Sequence, residues 1–168
     1  MSELAELKEL MLREPRWTLA VAESLTCGLL QARLGEQSGA SQFFLGGITT
    51  YSLAQKVRHL GVDETVAAPV NSVSELVARQ MARGARALFG SDFALATTGY
   101  AEPPAADVAP YAWWSVSDGR ANEGPLELSG CITCPEQTRQ QVRESVVEAA
   151  LLALLMHLRE RRGRDVSA

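Results

Sequence analysis

The feature that most restricts this chain is its rhythm: short apolar runs alternate with segments of helical spacing along nearly its whole length. Trp17 to Ala22 reads as a buried strand, and Leu25 to Leu34 returns to helical spacing through Leu29, Leu30 and Leu34, with Gly35 as the stop. Phe43 to Tyr51 reads as a second strand, and Gly46-Gly47 inside it implies a bulge or a close backbone approach. A short helix over Leu53 to Leu60 follows, with Ser52 as its cap and Gly61 past its end. Ser72-Val73-Ser74-Glu75 is a capping-box pattern opening a long helix to about Phe89, with Val73, Leu76, Val77, Met81, Ala85 and Leu88 as the apolar face. Phe93 to Thr97 is a third strand, and the proline-containing stretch Gly99 to Pro110 is a long loop. Tyr111 to Ser117 and Leu126 to Thr133 read as two more strands, joined through Asp118-Gly119 and a polar turn. Amphipathic helices over Glu3 to Arg13 and about Glu136 to Arg161 flank the whole. Strands alternating with helices predict a three-layer α/β/α sandwich around a mixed central sheet. A single domain is expected, with its core over about residues 5–160 and a frayed tail over 161–168.

Composition narrows the function classes. One chain of 168 residues suits one domain. Sixteen basic against twenty acidic side chains leave a net charge of −4, which argues against a general nucleic-acid binder. The longest apolar run, Ala149 to Met156, is far short of the roughly 20 residues a membrane span needs. Glu3, Glu6 and Glu9 stand where an export signal would be basic and then apolar. Three cysteines are an odd number, which fits a reduced, cytoplasmic protein better than a disulfide framework. Assembly into a homo-oligomer is compatible with all of this.

In open α/β sheets ligands gather at the carboxyl ends of strands. Glu23-Ser24-Leu25-Thr26-Cys27-Gly28 follows a strand and opens a helix, so Ser24 reads either as a helix cap or as a nucleophile with backbone N–H groups beside it. A nucleophilic serine needs a base. The two histidines, His59 and His157, are poorly placed for a Ser-His-Asp triad. A lysine with a lowered pKa is the alternative base, and Lys56, one turn into a helix at a second strand end, is the candidate. Its other reading is an ordinary solvated lysine. Cys131-Ile132-Thr133-Cys134 has redox spacing but lacks the second pair or the histidines of a zinc site. The arginine-rich run from Arg159 to Arg164 reads as a solvated helix end.

Glu23-Ser24-x-Thr26-x-Gly28, Phe44-Leu45-Gly46-Gly47-x-x-x-Tyr51-Ser52-x-x-x-Lys56, Leu60-Gly61-Val62, Val73-Ser74-Glu75, Thr98-Gly99 and Arg139-x-x-x-Arg143, in that order, resemble the CinA C-terminal domain family. The resemblance implies a nicotinamide-nucleotide amidase, which hydrolyses the carboxamide of nicotinamide mononucleotide to nicotinic acid mononucleotide and ammonia. It implies a Ser/Lys mechanism with Ser24 as nucleophile, Lys56 as base and Tyr51 as assistant, and Thr26, Gly28, Gly46, Thr98 and Gly99 lining the substrate site. No cofactor or metal is implied, and the expected partner is a small nucleotide substrate, with no nucleic acid and no membrane. The chain departs from the family's usual pattern at Leu25, Cys27, Glu102 and Trp113-Trp114. Glu102, where glycine is usual, is expected to set a negative charge beside the substrate's phosphate, and the tryptophans to fill space normally open. A non-catalytic or altered-specificity paralogue binding a nucleotide-like molecule is the alternative.

Overall fold

Strands β1 (Leu19–Glu23), β2 (Phe44–Thr49), β3 (Phe93–Gly99), β4 (Tyr111–Asp118) and β5 (Leu126–Thr133) form one sheet of order β2-β1-β3-β4-β5. In the computed structural model, which describes residues 2–121, 124 and 126–165, β1 runs parallel to β2 and β3, while β4 and β5 are antiparallel. Helices α1 (Glu3–Leu12), α2 (Leu29–Gly35) and α6 (Arg139–Asp165) cover one face; α3 (Leu53–Leu60), α4 (Glu64–Ala67) and α5 (Glu75–Phe89) cover the other. The chain is therefore a single α/β/α domain with a mixed sheet.

Residue size sorts the two faces. Side chains alternate along a strand. Leu19, Val21, Phe93, Leu95 and Val116 pack under α1, α2 and α6, whereas Ala22, Ala94 and Ala96 lie under α5. Alanines on the sheet and Ala82 and Ala85 on the helix let α5 approach closely. Gly84 serves the same end against α3, since a Cβ there would stand 2.1 Å from the Leu60 carbonyl oxygen.

The glycine pair in β2 fulfils both of its readings. Leu19 faces Phe44 but Ala20 faces Gly46, so Leu45 is an inserted residue, and Gly46 takes a φ of +133° that favours glycine. A Cβ on Gly47 would lie 2.4 Å from Val21 Cγ2.

Several boundaries differ from expectation. The helix expected from Leu25 begins at Leu29, because Cys27 and Gly28 have φ of +47° and +88° and form a turn instead. The cap of α5 is Ser74, whose Oγ accepts the Val77 N–H, while Ser72 lies outside the helix at φ +61°. Leu76 and Leu88, assigned to the apolar face, are exposed; Ala78 and Ala82 are buried in their place. The last helix starts at Arg139 rather than Glu136, which has a φ of +58°.

Three arginines of the run, Arg159, Arg161 and Arg162, are engaged with the rest of the chain rather than left to solvent. Arg159 grips Glu6 with two hydrogen bonds of 2.7 Å, and Arg161 stands 3.2 Å from Asp118. Buried Arg162 lies 3.3 Å over the Trp17 ring and donates to the carbonyls of Leu10, Arg13 and Pro15. Residues 161–165 thus continue α6, while 166–168 and part of the turn before β5 lie outside the described residues. Among the described residues no helix is long and apolar enough to cross a membrane.

Candidate active site

Parallel strands β1, β2 and β3 end at the same edge of the sheet, and a cavity of about 620 Å³ opens there. Ser24, Lys56, Tyr51, Thr98 and Gly99 all line it. Ser24 follows β1 directly and its N–H donates to the Thr97 carbonyl of β3 at 3.0 Å. The turn that carries it is fixed by Glu23, whose fully buried carboxylate accepts the N–H groups of Gly28, Leu30 and Gln31, each at 3.0 Å. A carboxylate at the start of a helix is favoured there by both the free N–H groups and the dipole. Ser24 is therefore not the cap; Glu23 reaches past it to do that work.

Lys56 comes from α3 and is almost completely buried, with 1% of its surface exposed. Its Nζ stands 3.0 Å from Ser24 Oγ, 2.8 Å from the Thr50 carbonyl and 3.3 Å from the Tyr51 carbonyl. The surface-lysine reading is excluded by this burial. Burial disfavours the ammonium and brings its pKa from 10.5 down to about 8. As a neutral amine, Lys56 can donate its two N–H groups to the carbonyls and aim its lone pair at the serine hydroxyl. Among the described residues, the backbone N–H groups of Leu25 and Thr26, just after Ser24, donate to no protein acceptor.

The remaining expected site residues divide. The Thr98 hydroxyl is tied to the Ser72 carbonyl at 2.7 Å, holding the loop before α5 against β3. Thr26 does not line the cavity: it is buried, its Oγ1 is 2.8 Å from that of Thr97, and its carbonyl accepts from Arg143. Gly28 supports the turn through its bond to Glu23. Gly46 is placed away from the cavity, since its substituent direction faces Phe89, and its conformation serves the bulge. The Tyr51 ring is exposed, and its hydroxyl accepts from Arg139 at 2.9 Å instead of meeting the Ser24–Lys56 pair.

The departures from the family pattern divide. Glu102 does lie at the mouth, but its carboxylate is paired with Arg139 at 3.2 Å. Trp113 and Trp114 fill no part of the cavity; Trp114 packs into the core and over Gly130. Cys131 is exposed and Cys134 buried, both free, and burial raises both thiol pKa values, which opposes redox reactivity. Arg139 is the site residue that the residue pattern did not single out. The only signal was its place in the motif Arg139-x-x-x-Arg143.

A serine at a strand end, hydrogen-bonded to a buried lysine, thus sits at the carboxyl edge of the sheet in an α/β/α sandwich. The chain belongs to the CinA C-terminal domain family, whose model matches residues 1–158. A CinA-like protein of Chlorobaculum tepidum is 38% identical over 157 residues, covering 89% of this chain and 36% of that protein. One from Geobacter sulfurreducens is 48% identical over 93 residues, covering 55% of this chain and 22% of the relative. The chain thus spans about a third or less of the length of these curated relatives. Among solved structures, the competence damage-inducible protein A of Klebsiella pneumoniae superposes with a TM-score of 0.78 at 31% identity, covering 93% of this chain and 94% of that one. A CinA superfamily protein of Enterobacter cloacae gives 0.83 at 24% identity, over 93% and 90% of the two chains, a likeness of fold.

Proposed function

We propose that the protein is an amidohydrolase that deamidates nicotinamide mononucleotide, or a closely related small carboxamide, by a Ser/Lys mechanism. The observation that carries this reading is the 3.0 Å contact between Lys56 Nζ and Ser24 Oγ on the floor of an open cavity. Neutral Lys56 takes the hydroxyl proton as Oγ attacks the carboxamide carbon. The negative oxygen that develops is met by the N–H of Leu25, a residue that lines the cavity and whose N–H has no other protein acceptor among the described residues. Lys56 then gives its proton to the departing nitrogen, the C–N bond breaks and ammonia leaves. Water, deprotonated by the same amine, then attacks the acyl-serine; its ester C–O bond breaks, Lys56 returns the proton to Ser24 Oγ, and the carboxylic acid leaves. Tyr51 contributes its carbonyl to Lys56 and its ring to the cavity wall.

The test is ammonia release from nicotinamide mononucleotide, with Ser24→Ala as the control. Turnover is expected in the parent and a loss of several orders of magnitude in the variant. Ser24 makes no side-chain cap, so the variant should unfold within about 1 kcal/mol of the parent. A folded Ser24→Ala protein with near-parental turnover would show that the reaction does not pass through this serine.

A further inference from the structure

The ion pair at the mouth of the cavity bears on the kind of amide the site takes, and the inference rests on the amidase reading above. Among the described residues lining the cavity, the basic groups are Lys56 and Arg139, and Glu102 is the acid. Lys56 is held on the floor by Ser24 and two carbonyls. Arg139 is therefore the cation within reach of an anionic substrate tail. Its guanidinium is already engaged: one nitrogen donates to Glu102 Oε2 at 3.2 Å and another to the Tyr51 hydroxyl at 2.9 Å. Glu102 precedes Pro103-Pro104, whose rings restrict the backbone that presents the carboxylate.

A terminal phosphate arriving at this mouth must displace a carboxylate of its own sign from Arg139 or share the guanidinium with it. A hydroxyl meets neither obstacle. It can donate to Glu102 and accept from a free Arg139 N–H at once, using the pair as it stands. We propose that Glu102 is a specificity-determining residue, turning the cavity towards primary carboxamides whose far end is uncharged and hydroxylated and away from those ending in phosphate. The pair is exposed, with its side chains 50% and 68% accessible, and exposed pairs hold by no more than about a factor of five. It biases the choice and does not block either ligand.

The experiment compares nicotinamide mononucleotide with its dephosphorylated riboside in the parent, Glu102→Gln and Glu102→Gly proteins. Ammonia release and calorimetric binding are both measured, at low salt and near 1 M salt. Glu102 is exposed and outside every helix and strand, so both variants are expected to fold. The expected result is that each variant raises the nucleotide-to-riboside ratio, in kcat/KM and in affinity, by about two- to fivefold at low salt, and that the gain shrinks at high salt. Riboside values should hold in Glu102→Gln, whose amide oxygen still accepts the hydroxyl, and fall modestly in Glu102→Gly. An unchanged ratio in both variants, or a parent that already favours the nucleotide, overturns the proposal. Binding with this selectivity but without ammonia in any protein upholds the proposal and overturns the amidase reading alone. Absence of binding by both ligands in all three proteins overturns the two together.

Discussion

Burying a lysine costs a protein stability, and the size of that cost depends on pH. Folding lowers the Lys56 pKa from 10.5 to about 8, so between these values the unfolded chain holds a proton there that the folded chain has released. Stability then rises with pH across that window, while below it both states are protonated and the burial penalty stays in full. Relative to Lys56→Met, whose side chain never titrates, the parent should gain roughly 3 kcal/mol of unfolding free energy from about pH 7 to 10.5, read by denaturant titration. Activity should climb with pH up to about 8 and then level off, because the proposed mechanism needs the neutral amine. Lys56→Arg should be inactive throughout, since a guanidinium stays charged. Flat pH–rate behaviour in the parent between pH 6 and 9 would remove Lys56 from the role of base. Ser24 and Lys56 were candidates from sequence because chain punctuation put each at a strand end, and the family resemblance set them above the cap and surface-lysine readings. The Arg139 contacts were not, because they join residues 37 and 88 positions apart and no local spacing encodes that meeting. For the same reason the charge of Glu102 was foreseen and its partner was not.

At the scale of elements, the order of strands and helices was legible apart from the short α4 (Glu64–Ala67), and the other mistakes fell where side chains override propensity. The turn before α2 reads as helix until the Glu23 carboxylate is seen taking the N–H groups at its start. The face of α5 was partly misassigned because leucines look like core, although the stripe over the alanine-lined sheet runs through Val77, Ala78, Met81, Ala82 and Ala85. Gly84 within that helix is a propensity defect of about 1 kcal/mol that packing requires. Gly84→Ala should therefore destabilise the protein by roughly 1 to 3 kcal/mol despite the better helix former, as the new methyl is driven into the Leu60 carbonyl. Equilibrium unfolding measures this directly, and a more stable variant would mean that α3 can shift aside without loss.

Over the whole molecule, three arginines near the end of α6 bind together parts of the chain that sequence separates widely. Arg162 meets Leu10 across 152 positions, and its guanidinium both covers Trp17 and satisfies backbone carbonyls between α1 and β1. Arg162→Met should cost about 2 to 4 kcal/mol, since it leaves the buried Leu10 carbonyl and two part-buried carbonyls without this donor as well as removing the cation over the ring. A thermal midpoint within a degree or two of the parent would show that the carbonyls find other donors. Sequence reading took this run as solvated because a row of charges at a chain end usually is. The site has the same scattered origin: its serine, lysine and rim arginine come from residues 24, 56 and 139, brought together at the ends of three strands. No fragment that lacks any of those stretches can hold a working copy. Recovered turnover after dilution from denaturant should therefore lag or match the slowest recovery of tertiary signal and never precede it, which makes the reaction itself a clock for the completed assembly of the chain.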